Sequence, residues 1–199
     1  GSGVLASAVA MHKALSKKIF VFHELPTPAF QVCAGGDSSA IERLAIQPPF
    51  VVKPCEGGSS IGVSIVREQS CISEALRAAD CTAGEDILIE AYVDGRELTV
   101  GVLNGRALPA IEVRAKSGFY DYSAKYNSEG ATRYIDNPDL PQGLRGRLKS
   151  LAETVYRALG CAGAARVDFL VDEKSQPFVL EINTIPGMTE TSLLPMAAR

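Results

Sequence analysis

The densest chemistry in this sequence lies in ARVDFLVD (165–172) and PFVLEIN (177–183), two strand-like runs joined by EKSQ. Successive strand residues point to opposite faces, so residues two apart share a side. With a regular four-residue loop at 173–176, Asp168 lies opposite Glu181 and Arg166 opposite Asn183, all four on one face. Val167, Phe169, Val171, Phe178, Leu180 and Ile182 then line the other face, towards a core. Two carboxylates with Cβ atoms about 5 Å apart repel unless something cationic stands between them. Oxygen ligands from Asp, Glu and Asn suit Mg²⁺, which keeps waters and completes its shell with phosphate oxygens. A solvated sheet face with unrelated charges fits the same pattern, and a slip of one residue dissolves the cluster.

A second candidate is VVKPCEGGSSIGVSIV (51–66), in which Lys53 leaves a strand and enters a loop containing Gly57, Gly58, Ser59, Ser60 and Gly62. Backbone amides in such a loop can wrap phosphate oxygens, and the glycines permit close approach. It is not a Walker A loop, which needs G-K-[ST] leading into a helix. Here the loop joins two strands, as a flap over a nucleotide or as an ordinary glycine-rich hairpin. The third candidate, RAKSGFYDYSAKYNSEGATR (114–133), is a long stretch with little apolar periodicity. Loops of about this length are usually functional or disordered. Phe119, Tyr120, Tyr122, Tyr126, Lys116 and Lys125 argue against plain disorder. Aromatics interleaved with lysines can stack on bases, but without a basic surface elsewhere a closing lid is preferred.

The elements that must carry these residues follow from pattern. A helix over 4–25 has to end before Pro26 and Pro28. Strands are expected at 50–53 and at VSIV (63–66), and then a helix N-capped by Ser70 runs to about Asp80 with Ile72, Ala75, Leu76 and Ala79 on one face. Strands 87–93, 97–103 and 106–113 follow, the last two joined at Asn104-Gly105, a strong hairpin signal. Leu144, Leu148, Leu151, Val155 and Leu159 mark a helix over 142–159, with Arg145, Arg147 and Lys149 on its wet side. Strands succeed strands without intervening helices, so the class is α+β with antiparallel sheets and helices packed on one side.

Composition narrows the function classes. The 199 residues carry 20 basic and 23 acidic side chains, net −3, which is no electrostatic footprint for nucleic acid or an anionic membrane. No apolar run approaches the roughly 18 residues of a membrane span, and GSGVLASAVAMHK lacks a signal-peptide layout, so a soluble, cytoplasmic protein is expected. Cys33, Cys55, Cys71, Cys81 and Cys161 form no C-x-x-C pair and read as reduced thiols, mostly in the core. His12 and His23 stand apart from any nucleophile or second ligand, which excludes serine-protease, cysteine-protease and histidine-metal chemistry.

Taken together, GSGVLASAVAMHK (1–13), VVKPCEGGSSIGVS (51–64), ILIEAYVDGRELTV (87–100), FYDYSAKY (119–126), LGCAGAARVDF (159–169) and LEINTIPGMTETSLLPMAAR (180–199) resemble the ATP-grasp superfamily, and within it the bacterial D-alanine:D-alanine ligases. The resemblance covers essentially the whole chain. It implies two α+β subdomains whose antiparallel sheets sandwich ATP: 1–91 with the glycine-rich flap, and 92–199 with the lid and the metal hairpin. It also implies that an N-terminal substrate domain, with a glutamate orienting the first D-alanine, is absent, and that the C-terminal helix is cut shortly after Arg199. On this resemblance ATP phosphorylates one D-alanine, and the amine of a second attacks the acylphosphate to give the dipeptide used in peptidoglycan. The parent is expected to be a homodimer with D-alanine and ATP as its small-molecule partners.

Residue roles carry over by the same resemblance. Lys13 and Lys53 would contact the ATP phosphates, with Ser59 and Ser60 in the flap over the γ-phosphate. Glu90 and the backbone around Val93 would hold adenine, and Glu97 the ribose hydroxyls. Asp168, Glu181 and Asn183 would bind two Mg²⁺ ions, for which Mn²⁺ can substitute. Arg166 and the Gly187 amide would stabilise the tetrahedral oxyanion, while Ser192 and the Leu193 amide would take the second substrate's carboxylate. Lys125 would meet the transferred phosphate, and Tyr126 would help close the lid. Tyr126 speaks against a D-alanine:D-lactate ligase, where histidine occupies that neighbourhood. A glutathione-synthetase-like ligase would share the metal hairpin but not the SGFYDYSAKY and PGMTETSL segments. A nucleotide-binding module without chemistry is the rival from another class.

Overall fold

Among the described residues every strand pairing is antiparallel, and the strands gather into two sheets with helices against them. The structure, a computed structural model, describes residues 1–35, 43–79, 85–115 and 132–199. The first sheet has the order β1-β4-β2-β3, from Phe30–Cys33, Ile87–Ala91, Phe50–Pro54 and Ser64–Val66. The second is β7-β6-β5-β8-β9, from Thr132–Asp136, Arg106–Ala115, Gly95–Leu103, Ala164–Asp172 and Pro177–Asn183. Strand β1 was not anticipated from sequence, and β6 and β7 take residues at both ends of the expected 114–133 loop. The remainder of that loop lies outside the described residues.

The N-terminal helix is two helices. His12 adopts an extended backbone between α1 (Val4–Met11) and α2 (Lys13–Phe22), and its Nδ1 accepts from the Leu15 amide at 3.4 Å. The Lys13 amide turns instead to the Cys55 carbonyl at 2.8 Å, which fastens the start of α2 to the glycine-rich loop. A second correction concerns α3 (Ile72–Ala79): Ser70 sits inside a short 3-10 turn, Gln69–Cys71, rather than capping the helix. The apolar face is nonetheless the expected one, with Ile72, Ala75 and Ala79 buried against the first sheet.

In the second sheet, Asn104 and Gly105 both take positive φ, 49° and 80°, as a tight two-residue hairpin demands. Helix α4 (Leu144–Ala158) lays Leu144, Leu148, Ala152, Val155 and Tyr156 on this sheet, and α1 and α2 add Ala10 and Phe20 to the same core. The core of the first sheet is separate, built from Phe50, Val52, Val66, Ile72, Ile87 and Ile89. A small cluster of Ala14, Cys55 and Leu88, flanked by Phe30 and Val32, lies where α2 meets the first sheet. Cys33 and Cys55 are buried free thiols, Cys161 is half-buried and Cys71 exposed. No helix among the described residues is long and apolar enough to cross a membrane.

Candidate functional site

The β8/β9 hairpin holds the expected register at its functional end, with Arg166 opposite Asn183, Val167 opposite Ile182 and Asp168 opposite Glu181. Towards the loop the register shifts, so that Phe169 faces Val179 and Leu170 faces Phe178. Leu180 is the extra residue of this bulge, and beyond it the two sides of β9 exchange. Val179 therefore fills the core at 0 % exposure, while Leu180 lines the cleft; the expected core positions of Phe178 and Leu180 are overturned by the bulge.

A cation does stand beside Asp168, and it is the side chain of Arg166. Arg166 forks onto Asp168, Nε to Oδ1 at 2.9 Å and Nη2 to Oδ2 at 2.7 Å. Thr99, opposite Asp168 on β5 and buried, donates its hydroxyl to Oδ1 at 2.6 Å. Asn183 Oδ1 accepts from the Ile185 amide at 2.9 Å. Among the described residues no three His, Cys, Asp or Glu side chains converge as a cation site. The candidate is instead two carboxylates and an amide oxygen on one strand pair. That all-oxygen donor set fits a hard divalent ion that takes its remaining ligands from water and phosphate.

Lysines crowd the wall facing this hairpin. Lys13, first residue of α2, donates from Nζ to the Gly57 carbonyl at 2.9 Å. Burial pushes its pKa down, aided by Lys53 and opposed by nearby Glu181. On β2, Lys53 pairs with Glu90 of β4, whose other oxygen meets Lys17 Nζ at 2.5 Å. Burial disfavours charge on both Lys53 and Glu90, but the ion pairs win: the Lys53 ammonium is held above its ordinary range and the Glu90 carboxyl below its own. Lys17 is fully buried, and there burial outweighs Glu90, leaving its pKa at about 8.

The rest of the rim is loop and strand edge. Gly57 and Gly62 take positive φ, as do Ser59 and Ser60, and the glycine-rich turn lines the cleft. Val93 and Glu97 flank the crossing from β4 into β5. Beside them the buried Glu112 binds Arg96 through both oxygens, at 3.2 and 2.7 Å, and Arg114 at 2.9 Å. Opposite, Gly187 sits so close to Ser192 that a Cβ there would lie 2.7 Å from its hydroxyl. Ser192 precedes the short helix α5 (Leu193–Ala197), and its Oγ accepts from the Thr189 amide.

All the candidates on described residues, Lys13, Lys53, Ser59, Ser60, Glu90, Val93, Glu97, Arg166, Asp168, Glu181, Asn183, Gly187, Ser192 and Leu193, line one cleft of about 840 Å³. Lys125 and Tyr126 lie outside the described residues. Lys17, Thr99 and Glu112 escaped the sequence reading. Lys17 left a signal, since it follows Lys13 by four residues and so shares its helix face. Thr99 left none, because a threonine inside a strand is unremarkable.

Comparison with known proteins bears on the same geometry. The family described as "D-ala D-ala ligase C-terminus" matches residues 24–199. A D-alanine--D-alanine ligase from Syntrophotalea carbinolica is 47 % identical over 198 residues, and one from Geotalea uraniireducens 45 % over 199. This chain is covered completely in both cases but spans only 63 % and 64 % of those proteins. Among solved structures, a D-alanine--D-alanine ligase from Bacillus anthracis complexed with ATP superposes with a TM-score of 0.80 at 33 % identity, covering 99 % of this chain and 63 % of that one. A D-Ala:D-Ser ligase from Enterococcus faecalis gives 0.87 at 27 % identity, covering 98 % and 58 %.

Proposed function

The chain belongs to the D-alanine:D-alanine ligase C-terminal family, with the ATP-grasp fold, and from that premise we propose that its cleft binds ATP with Mg²⁺ and serves the joining of two D-alanines for peptidoglycan. The observation that carries this reading is the convergence of lysines, carboxylates and a glycine-rich turn from both sheets on one cleft. Lys13 and Lys53 attract the phosphates, and the turn at Ser59 and Ser60 covers the γ-phosphate with backbone amides. Adenine lies against Val93 and Glu90; Oε1 of Glu90 is buried with Lys17, which leaves Oε2, on the Lys53 side, for the purine's amino group. Glu97 accepts from the ribose hydroxyls. Asp168, Glu181 and Asn183 hold Mg²⁺, which supplies neutralisation of phosphate charge.

Arg166, steadied by Asp168, offers a fixed guanidinium, and Gly187 its amide, to the carbonyl oxygen that gains charge when the amine attacks. Ser192 and the Leu193 amide receive the second amino acid's carboxylate. Lys125 would meet the phosphoryl group and Tyr126 the first substrate. The two sheets, with separate cores, support subdomains at 1–91 and 92–199, although α1 and α2 pack on the second sheet. A cytoplasmic location belongs to the same proposal, because an ATP-consuming step needs a supply of ATP.

Calorimetry with ATP, with and without Mg²⁺, tests the nucleotide site, and a coupled assay following ADP and D-alanyl-D-alanine tests the reaction. ATP binding that Mg²⁺ strengthens is expected, as is ADP release that depends on D-alanine in the full-length protein. Absence of ATP binding removes the proposal, whereas ATP binding without D-alanine-dependent ADP favours a nucleotide module that does no chemistry.

A further inference from the structure

Lys17 has no place in the functional assignments above, yet it is the most thoroughly buried charge among the described residues. Its side chain is 0 % exposed and the Glu90 carboxylate 3 %, while Lys53, which shares that carboxylate, is 12 % exposed and opens on the cleft. Lys17 Nζ also lies 2.6 Å from Thr27 Oγ1, and that hydroxyl lies 2.8 Å from the Val179 carbonyl. An ammonium only donates and a carbonyl only accepts, so the chain has one polarity: Lys17 to Thr27 to Val179. The Phe30 ring covers Nζ at 5.6 Å. The network thus ties α2 to β4, to β2 through Glu90, and to β9, the strand that carries Glu181 and Asn183.

A buried ionic cluster of this kind is an expensive way to hold a fold, because apolar residues of similar volume commonly do as well or better. Its charge count suggests another use. Glu90 is one anion between two cations. With Lys17 present, half of the carboxylate's attraction is spent inside the protein, and Lys53 keeps a net positive charge to offer the cleft. Without Lys17 the pair Lys53–Glu90 is neutral. We propose that Lys17 is a positioning residue for the phosphate side of the cleft: by sharing Glu90 it fixes the Lys53 ammonium in place and leaves it electrostatically available to a bound polyphosphate. This rests on the reading that the cleft takes ATP.

The quantity to measure is the ratio of ATP to adenosine affinity, which isolates the phosphate contribution and cancels changes at the adenine. Lys17→Met should lower that ratio about tenfold, the order expected for removing one unit charge near the polyphosphate. The double variant Lys17→Met/Glu90→Gln restores a single net positive charge on Lys53, and should recover most of the ratio. A purely structural Lys17 would instead make the two losses add.

The double variant replaces an ion pair by neutral groups and also serves if the single variant does not fold. The groups facing Lys17 are Glu90 on β4, Lys53 on β2 and Glu181 on β9, with Thr27 and Phe30 uncharged. An unchanged ratio in Lys17→Met, or additive losses, each overturn the inference. If wild type binds no ATP, the nucleotide reading fails and this inference falls with it; if wild type binds and the ratios do not move, only the inference fails.

Discussion

Thr99 shows what a single residue contributes to this site. Its hydroxyl is buried and donates to an Asp168 oxygen that Arg166 also holds. Thr99→Val keeps the shape and removes one charge-assisted hydrogen bond, so it should cost about 1.5 kcal/mol of stability. Urea unfolding measures this, and a cost within 0.3 kcal/mol of zero, on the scale of about 1 kcal/mol for such bonds, would count against the bond's place in the site. Glu112 makes a pH-dependent prediction. Burial raises its pKa, but hydrogen bonds from Arg96 and Arg114 outweigh burial and hold it below the ordinary 4.5. A carboxyl depressed on folding stabilises above its unfolded pKa and loses that contribution as pH falls through the folded one. Glu112→Gln should therefore cost about 1 kcal/mol at pH 7, discounted because the Arg96 and Arg114 side chains are 36 % and 60 % exposed. The cost should shrink as pH drops below 4.5; a gap between variant and wild type that stays constant from pH 7 to 3 is the contrary result. At this scale the sequence was most legible where a local pattern was enough. Asp168, Glu181 and Asn183 came from alternation alone, whereas Lys17 and Thr99 act through partners far away in sequence, and no local pattern announces such partners.

At the scale of elements, close strand approach sets the sharpest constraint. A Cβ on Gly95 would stand 2.2 Å from the Val171 carbonyl oxygen, which is backbone of the paired strand and cannot swing aside. A Cβ on Gly101 would meet the Leu194 Cδ1 at 2.6 Å, the end of a side chain that can rotate. Gly95→Ala should thus cost at least about 2 kcal/mol and Gly101→Ala under about 1.5. Thermal denaturation of the two variants orders them, and a milder Gly95→Ala would mean that the β5–β8 pairing is looser than described. The elements most readable from sequence were those with strong local signals: the leucine-spaced α4, and the Asn104-Gly105 hairpin with its two positive φ angles. The misreadings share one cause, which is a tertiary partner deciding a local question. The 4–25 helix breaks at His12 because the Lys13 amide bonds to Cys55, far along the chain. The β9 sides exchange at a bulge that alternation cannot reveal. Strand β1 exists because Phe30–Cys33 completes the edge beside β4, although the run itself is only four residues.

At the largest scale, the two sheets keep separate cores, and among the described residues they are joined by the Ala14, Cys55 and Leu88 cluster, the Lys17 network and the contacts of α2. The cleft draws its lining from both, with Lys53 and Glu90 on the first sheet and Asp168, Glu181 and Glu97 on the second. A ligand that touches both walls adds its binding free energy to the folded state of both units at once. At a concentration 100 times its Kd, ATP with Mg²⁺ should stabilise the chain by about 2.7 kcal/mol. For a chain of this size that corresponds to a rise in Tm of about 5 to 10 °C. Adenosine at the same multiple of its own Kd should stabilise by the same amount, so the location of the effect matters more than its size. Amide hydrogen exchange supplies that location, because local opening is reported residue by residue. ATP with Mg²⁺ should slow exchange in β2 and β4 and also in β8 and β9, whereas adenosine should slow β4 and the start of β5 far more than β9. Protection confined to one sheet in the presence of ATP and Mg²⁺ would show that the two walls do not share a ligand, and would remove the nucleotide from the space between them.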